Sequence, residues 1–330
     1  MKSKEFESSS AFSKLKTNDN EAAEDNSPLF LDYFYSLIQN FEESARWRTL
    51  SNYRTVYNSF RSFLNGLSLT FDSFTSSIAE KYSDALFRRG LTRNSVSFHM
   101  RILRAVYNRG VENDLTIQKN PFKHVYTGVD KARKRAVSEK IIAKIASLEI
   151  KNRPRLSLAR DLFMFSFYTR GMPFIDMAFL KKRNIKKGYI LYQRHKTGKQ
   201  MSVKIEPKIK EIIKRYEKFS DIYIFPIINS KNSKESYMQY EKGLRSYNFQ
   251  LSVLTKTLSL QNTLSSYTSR HSWATIARNK NIPLSVISAA LGHSDEGVTL
   301  VYLDSIENSV IDKANRQIIN LIKAPKNHLR

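Results

Sequence analysis

With 330 residues, 41% of them apolar, the chain can bury a full core, and its length suggests two modest domains. A formal charge of +25 sets it apart from enzymes of small neutral substrates and points to a polyanionic partner, bound through release of counterions from a nucleic-acid backbone. The lack of cysteine excludes disulfides, thiol chemistry and Cys-ligated metal sites, and no apolar run reaches the roughly 18 residues of a membrane span, so a cytoplasmic, nucleoid-associated chain is expected.

Residues 1–27 are rich in Ser, Asn and Glu with little apolar periodicity and read as a disordered tail. They hold four Lys against six acidic residues, so the positive charge belongs to the rest of the chain. From Pro28 the pattern is helical. Leu29, Tyr33, Leu37 and Phe41 recur at spacing four, and Tyr53, Tyr57, Phe60 and Leu64 come next at four and three. Further helices fit Thr75 to Arg89, ended by Gly90, and Arg93 to Asn113. This gives a four-helix first domain over residues 28–126. Arg54, Arg61, Arg93, Arg101 and Arg104 interrupt it, some opposite the apolar stripe. A solvated face accounts for any one of them; together they read as phosphate contacts, which place a protein on DNA without reading its sequence.

Residues 127–137 (TGVDKARKRAV) combine a Gly with four bases, Arg133 and Arg135 among them, and read as a basic linker. About ten extended residues reach on the order of 35 Å, enough to cross a duplex. The second domain, residues 138–330, begins with helices from Ser138 to Leu148, Leu156 to Tyr168 and Phe174 to Lys182. Alternation at Ile190 and Tyr192, a Thr197-Gly198 turn, and alternation at Val203 and Ile205 predict a β-hairpin with Lys196 near its tip. Helices are expected next over Pro207 to Phe219, Ser233 to Ser252, Arg270 to Lys280 and Pro283 to Leu291, then a short one after Ser294 and one near Ile306 to Ile322. The expected fold is mainly α with a small β-hairpin or sheet, in two domains.

Residues 269–304 carry the most specific pattern. Arg270-His271 is followed by Ala274-Thr275, then Leu291-Gly292-His293-Ser294, then Thr299 and Tyr302, nine residues after His293. In order and distance these resemble the C-terminal signature of the tyrosine recombinase (phage integrase) family, and the four helices before them resemble that family's SAM-like core-binding domain. The resemblance implies a clamp on double-stranded DNA and cleavage through a 3′-phosphotyrosyl bond, with Tyr302 as nucleophile. Arg270 is then a bidentate guanidinium on the phosphate, and His293 a hydrogen-bond donor to the phosphate or an aid to Tyr302. Lys196 matches the family's hairpin lysine, the general acid for the departing 5′-oxygen. Because the bond energy stays in the phosphotyrosine, neither a cofactor nor a metal is expected.

Each assignment has a plainer competitor: a packing tyrosine, a histidine beside a glycine cap, a surface arginine, or Lys199 in place of Lys196. Two departures from the pattern bear on the site. Where the family reads Thr-Gly-Leu-Arg, this chain has Thr-Arg-Gly-Met-Pro, so Pro173 stands in the slot of the first catalytic arginine. Arg170 is then the expected substitute, or else it holds Asp176 in a structural pair. Tyr267 occupies a position where the family usually has His. It can bond a phosphate oxygen, but with an ordinary pKa near 10 it is a poor base.

The resemblance also implies a homotetramer on DNA with an exchanged C-terminal helix, and a monomer when free; Val310, Ala314, Ile318 and Ile322 supply the apolar stripe of that helix. Competing readings are a type IB topoisomerase-like relaxing activity, a noncatalytic DNA-binding accessory protein, and RNA binding by charge alone.

Overall fold

The computed structural model describes residues 28–130 and 136–293. Arg133, Arg135, Tyr302 and the helices expected after Ser294 lie outside the described residues. The chain divides into two compact units between Asp130 and Lys131, and each has a hydrophobic core. No helix among the described residues is long and apolar enough to cross a membrane.

The first unit is built from α1 (Phe30–Glu43), α2 (Trp47–Leu64), α3 (Ser76–Arg88) and α4 (Arg93–Glu112). The buried face of α1 differs from the expected stripe: it is Phe30, Phe34, Leu37, Ile38 and Phe41. Leu29 lies before the helix in extended backbone, bridged to Thr70, and is 39% exposed. Tyr33 turns to the helix edge, where its hydroxyl donates to Arg109 O at 3.3 Å. Phe30 is surrounded edge-on or tilted by Phe34, Phe60, Phe71 and Phe74, the geometry that ring quadrupoles favour. Beside them the Tyr82 hydroxyl lies 2.9 Å from both Ser59 Oγ and His99 Nδ1. Burial pushes the His99 pKa down to about 4 and keeps the ring neutral.

This unit runs past the Tyr126 boundary expected from the sequence. Ser97 Oγ donates to Gly128 O, and the Asp130 N–H donates to Asn94 Oδ1 at 2.8 Å. Residues 127–130 therefore lie on the surface of α4, because their backbone polar groups find partners there.

The second unit contains α5 (Glu139–Ser147), α6 (Pro154–Tyr168), α7 (Phe174–Ala178), β1 (Ile185–Lys186), β2 (Tyr189–Gln193), β3 (Gln200–Lys204), α8 (Pro207–Tyr216), α9 (Ser233–Thr257), α10 (Thr268–Asn279) and α11 (Leu284–Leu291). Helix α6 is its axis. Every residue from Asp161 to Ser166 is buried, because α5, α7, α8, α9 and α10 all pack on this helix. The one charge in that run, Asp161, accepts from Arg160, Arg215 and the Tyr216 hydroxyl.

The expected hairpin is part of a three-stranded antiparallel sheet in the order β1-β2-β3, with Ile190 opposite Val203 and Tyr192 opposite Met201. Ile205 falls just beyond β3. Strand β1 spans two residues, too few to show an alternation. Helix α7 stops at Ala178 and not at Lys182, since Leu180 O accepts from Ile224 N and Lys181 pairs as a bridge with Tyr223.

Candidate active site

The site is assembled where the turn after α6 meets the start of α10. Helix α6 ends with the Gly171 N–H donating to Ser166 O at 2.7 Å, and Arg170 and Gly171 both adopt left-handed backbone, φ +61° and +74°. Ser166 Oγ donates to Met172 O, and Ser269 Oγ donates to Ser166 Oγ at 2.7 Å, so the turn is stitched to α10 by buried hydroxyls. The two segments lie so close that a Cβ on Gly171 would stand 2.7 Å from Arg270 Cγ and 2.9 Å from Arg270 Cα. Glycine is required here both for the backbone angle and for the approach.

Arg270 is 2% exposed. Its Nη1 donates to Gly171 O at 2.7 Å, and its Nη2 donates to Leu291 O at 2.6 Å and to His293 Nε2 at 2.9 Å. A guanidinium has only donors, so His293 Nε2 is the acceptor and the neutral ring carries its proton on Nδ1. Gly292 closes α11 in the left-handed region, and the His293 N–H donates back to Ser288 O. The glycine cap expected from the sequence thus delivers His293 to Arg270. His293 is 6% exposed. Burial, followed by the charges of Arg270, Arg194, Lys196 and Lys199, lowers its pKa to about 4.

The β2–β3 turn supplies the third segment. Lys196 sits exposed in it and acts on His293 through its charge, while Lys199 Nζ donates to His293 O at 3.3 Å. Arg194, which is not among the residues expected from the sequence, is buried in the same turn and donates through Nη1 to Gly292 O. A signal for it exists: Ile190 and Tyr192 face inward in β2, and the period-2 rule puts residue 194 on that same face.

Other site residues stand apart from this group. Pro173 is the N-cap of α7. Arg170 points to β3, with Nη1 3.4 Å from Ser202 O, and it does not pair with Asp176. The Asp176 carboxylate instead accepts from the backbone N–H of His195 at 2.9 Å and lies 3.1 Å from its Nδ1, tying α7 to the residue before Lys196. Tyr267 is 43% exposed at the N-cap of α10, and its hydroxyl makes no hydrogen bond to Arg270 or His293 among the described residues. His271 is half-buried against it. In the first unit, Arg93, Arg101 and Arg104 are exposed along α4 and gather around Tyr126 and Thr127: Arg93 lies 3.8 Å from the Tyr126 ring centre and Arg104 donates to Thr127 Oγ1. Arg54 and Arg61 line a groove between α1 and α2, where Arg54 pairs with Glu42.

Two family models match the chain. Residues 29–144 match the phage integrase SAM-like domain, and residues 139–308 match the phage integrase family. The chain belongs to the phage integrase family, the tyrosine recombinases. No curated protein matches it in sequence.

Similar solved structures include a lambda integrase tetramer bound to a Holliday junction, with TM-score 0.63 and 15% identity over 90% of this chain and 86% of that one. Another is the Tn1549 transposon integrase in complex with transposon right end DNA, with TM-score 0.62 and 14% identity over 90% of this chain and 100% of the other. A lambda integrase dimer bound to a COC′ core site matches with TM-score 0.59 and 15% identity over 86% and 81%. At these identities the likeness is one of fold.

The two buried imidazoles give the chain an acid sensitivity whose sign is set by their protonation. Unfolded, each takes up a proton near its ordinary pKa of 6.5; folded, His99 and His293 do so only near 4. Below 6.5 the unfolded chain binds more protons, so stability is full above that pH and falls as pH drops toward 4. Thermal midpoints measured between pH 7 and 5, above most carboxylate titration, should decline, and His99→Gln and His293→Gln should each flatten the decline. An unchanged slope in both variants would remove these rings as its source.

Proposed function

We propose that the chain is a site-specific DNA recombinase that cuts and rejoins duplex DNA through a 3′-phosphotyrosyl intermediate, serving integration, excision or inversion. The observation that carries this reading is the buried Arg270–His293 pair at 2.9 Å, held between Gly171 and Leu291 and flanked by the lysines of the β2–β3 turn. The arrangement concentrates fixed positive charge where a phosphodiester would gain negative charge on its nonbridging oxygens.

In this reading Tyr302 Oη attacks the phosphorus and passes its phenolic proton to a nonbridging oxygen of the phosphate, the bond from phosphorus to the 5′-oxygen breaks, and Lys196 protonates that oxygen. Attack by a 5′-hydroxyl on the phosphotyrosine reverses the step and reseals a strand. Arg270 stabilises the pentacoordinate phosphorus, and His293, which accepts from Arg270 through Nε2, carries its proton on Nδ1. Arg170 adds charge from the turn after α6, and Tyr267 a hydroxyl from the N-cap of α10. Arg54, Arg61, Arg93, Arg101 and Arg104, with Arg133 and Arg135 of the basic stretch 127–137, take DNA phosphates. Three of the solved structures similar in fold are integrases on DNA, one of them a tetramer on a Holliday junction; a tetramer on two sites, with the segment 306–322 exchanged between protomers, fits this reading.

The test is covalent trapping. Nicked suicide duplexes bearing sequences from DNA flanking the gene are incubated with the unsubstituted chain and with Tyr302→Phe, then run on a denaturing gel. An adduct formed by the first and missing from the second is expected. Tight, specific binding without any adduct would sink the enzyme reading in favour of an accessory DNA-binding protein.

A further inference from the structure

One buried cation has no structural partner that accounts for its charge. Arg194 is 5% exposed. Of the five N–H donors of its guanidinium, the described structure uses one, from Nη1 to Gly292 O, while Nε is buried without a hydrogen-bond partner. No carboxylate among the described residues pairs with it. Arg215 makes the contrast, with its guanidinium 2.9 Å from the Asp161 carboxylate. A buried charge with most of its donors unused is costly, and such groups persist where an anion completes them.

The position of Arg194 says which anion. Its backbone closes the turn that carries Lys196, with Arg194 N–H donating to Lys199 O at 2.9 Å and Gly198 N–H donating to Arg194 O at 2.8 Å. Its side chain reaches across to the residue next to His293, where Arg270 arrives from α10. Guanidinium groups from two separate elements thus reach neighbouring residues, Arg194 at Gly292 O and Arg270 at Leu291 O and His293 Nε2, and Lys199 reaches His293 O.

We propose that Arg194 is a phosphate-binding residue of this site, its guanidinium acting with that of Arg270 as a two-arginine clamp on a single phosphodiester. The inference rests on the recombinase reading for the identity of the phosphodiester, but the clamp itself can be tested without DNA. Arg170, tethered to Ser202 O on β3, is then not the guanidinium that grips the phosphate beside Arg270.

The experiment uses the full chain and inorganic phosphate. Thermal midpoints are measured against rising phosphate, with chloride at equal ionic strength as the reference, for the unsubstituted chain, Arg194→Gln and a remote control, Lys208→Gln on α8. Glutamine keeps an N–H donor for Gly292 O and removes the charge. The unsubstituted chain and the control should gain stability in phosphate with the same half-saturation, while Arg194→Gln should need about tenfold more phosphate or greater, the worth of one charge-assisted bond. Arg194→Lys, which keeps the charge without the fork, should fall between them and replaces Arg194→Gln if that variant does not fold. Equal phosphate response in Arg194→Gln and the unsubstituted chain overturns the proposal, as does no response in the unsubstituted chain. Trapping through Tyr302 is read separately: phosphate binding that depends on Arg194 without an adduct removes only the recombinase reading, and an adduct with no such dependence removes only the clamp.

Discussion

Arg270→Ala should slow strand cleavage by on the order of 10³-fold or more, measured as the rate of adduct formation on suicide duplexes, and Arg270→Lys should recover little of the loss. The reason is the number of tasks this one side chain performs. It donates to Gly171 O, Leu291 O and His293 Nε2 from two nitrogens in a fixed plane. A lysine ammonium is a single point and cannot span three acceptors on separate segments. Alanine would also leave those buried acceptors without their donor, at about 1–3 kcal/mol each, offset in part by relief of repulsion from Arg194 and the turn lysines. A net loss of about 2–3 kcal/mol corresponds to a midpoint lower by roughly 5–10 °C in a unit of this size. An Arg270→Ala chain that formed adduct at the ordinary rate would take Arg270 out of the chemistry.

Gly171→Ala should also be damaging, although it adds a single methyl group. Left-handed backbone costs an alanine about 1–2 kcal/mol, and the added carbon would meet the Arg270 backbone and Cγ inside van der Waals contact, an overpacking of about 1–3 kcal/mol. The strain is relieved by pushing α10 away from the turn, and Arg270 moves with it. Expected outcomes are a lower urea midpoint for the second unit and a fall of about 10²-fold in adduct formation, since displacing a catalytic group by about 1 Å costs on that order. Gly188→Ala is the control: φ there is +79°, nothing lies within 4 Å of the added carbon, and only the backbone penalty applies. If both variants behaved alike, the close approach at Gly171 would carry no functional weight.

Much of this site is legible in the sequence because it is held by local rules. The Gly292 cap, the period-2 alternation of β2 and the turn at Thr197-Gly198 are each set by a few neighbouring residues. The features that elude the sequence depend on distant packing. The α1 stripe lies off the expected register because Leu29 is drawn into a bridge with Thr70, which spacing within the helix does not encode. Asp176 meets His195 across 19 positions, where the turn after β2 comes beside α7, and no spacing in the sequence reveals that its partner is His195 and not Arg170. Arg194 escapes notice for a different reason. In a chain with 55 Lys and Arg, one more arginine does not stand out unless its inward parity on β2 is counted.

Three of the hydrogen bonds that build the cation cluster join residues far apart in the chain. Arg270 and Gly171 are separated by 99 positions, Arg194 and Gly292 by 98, and Lys199 and His293 by 94. Such contacts form late, because the loop between them must first be closed. During synthesis the turn after α6 and the β2–β3 turn leave the ribosome long before either of their partners exists. The nascent polypeptide therefore passes through most of translation without the Arg270–His293 pair, which can form only once synthesis has gone beyond α11.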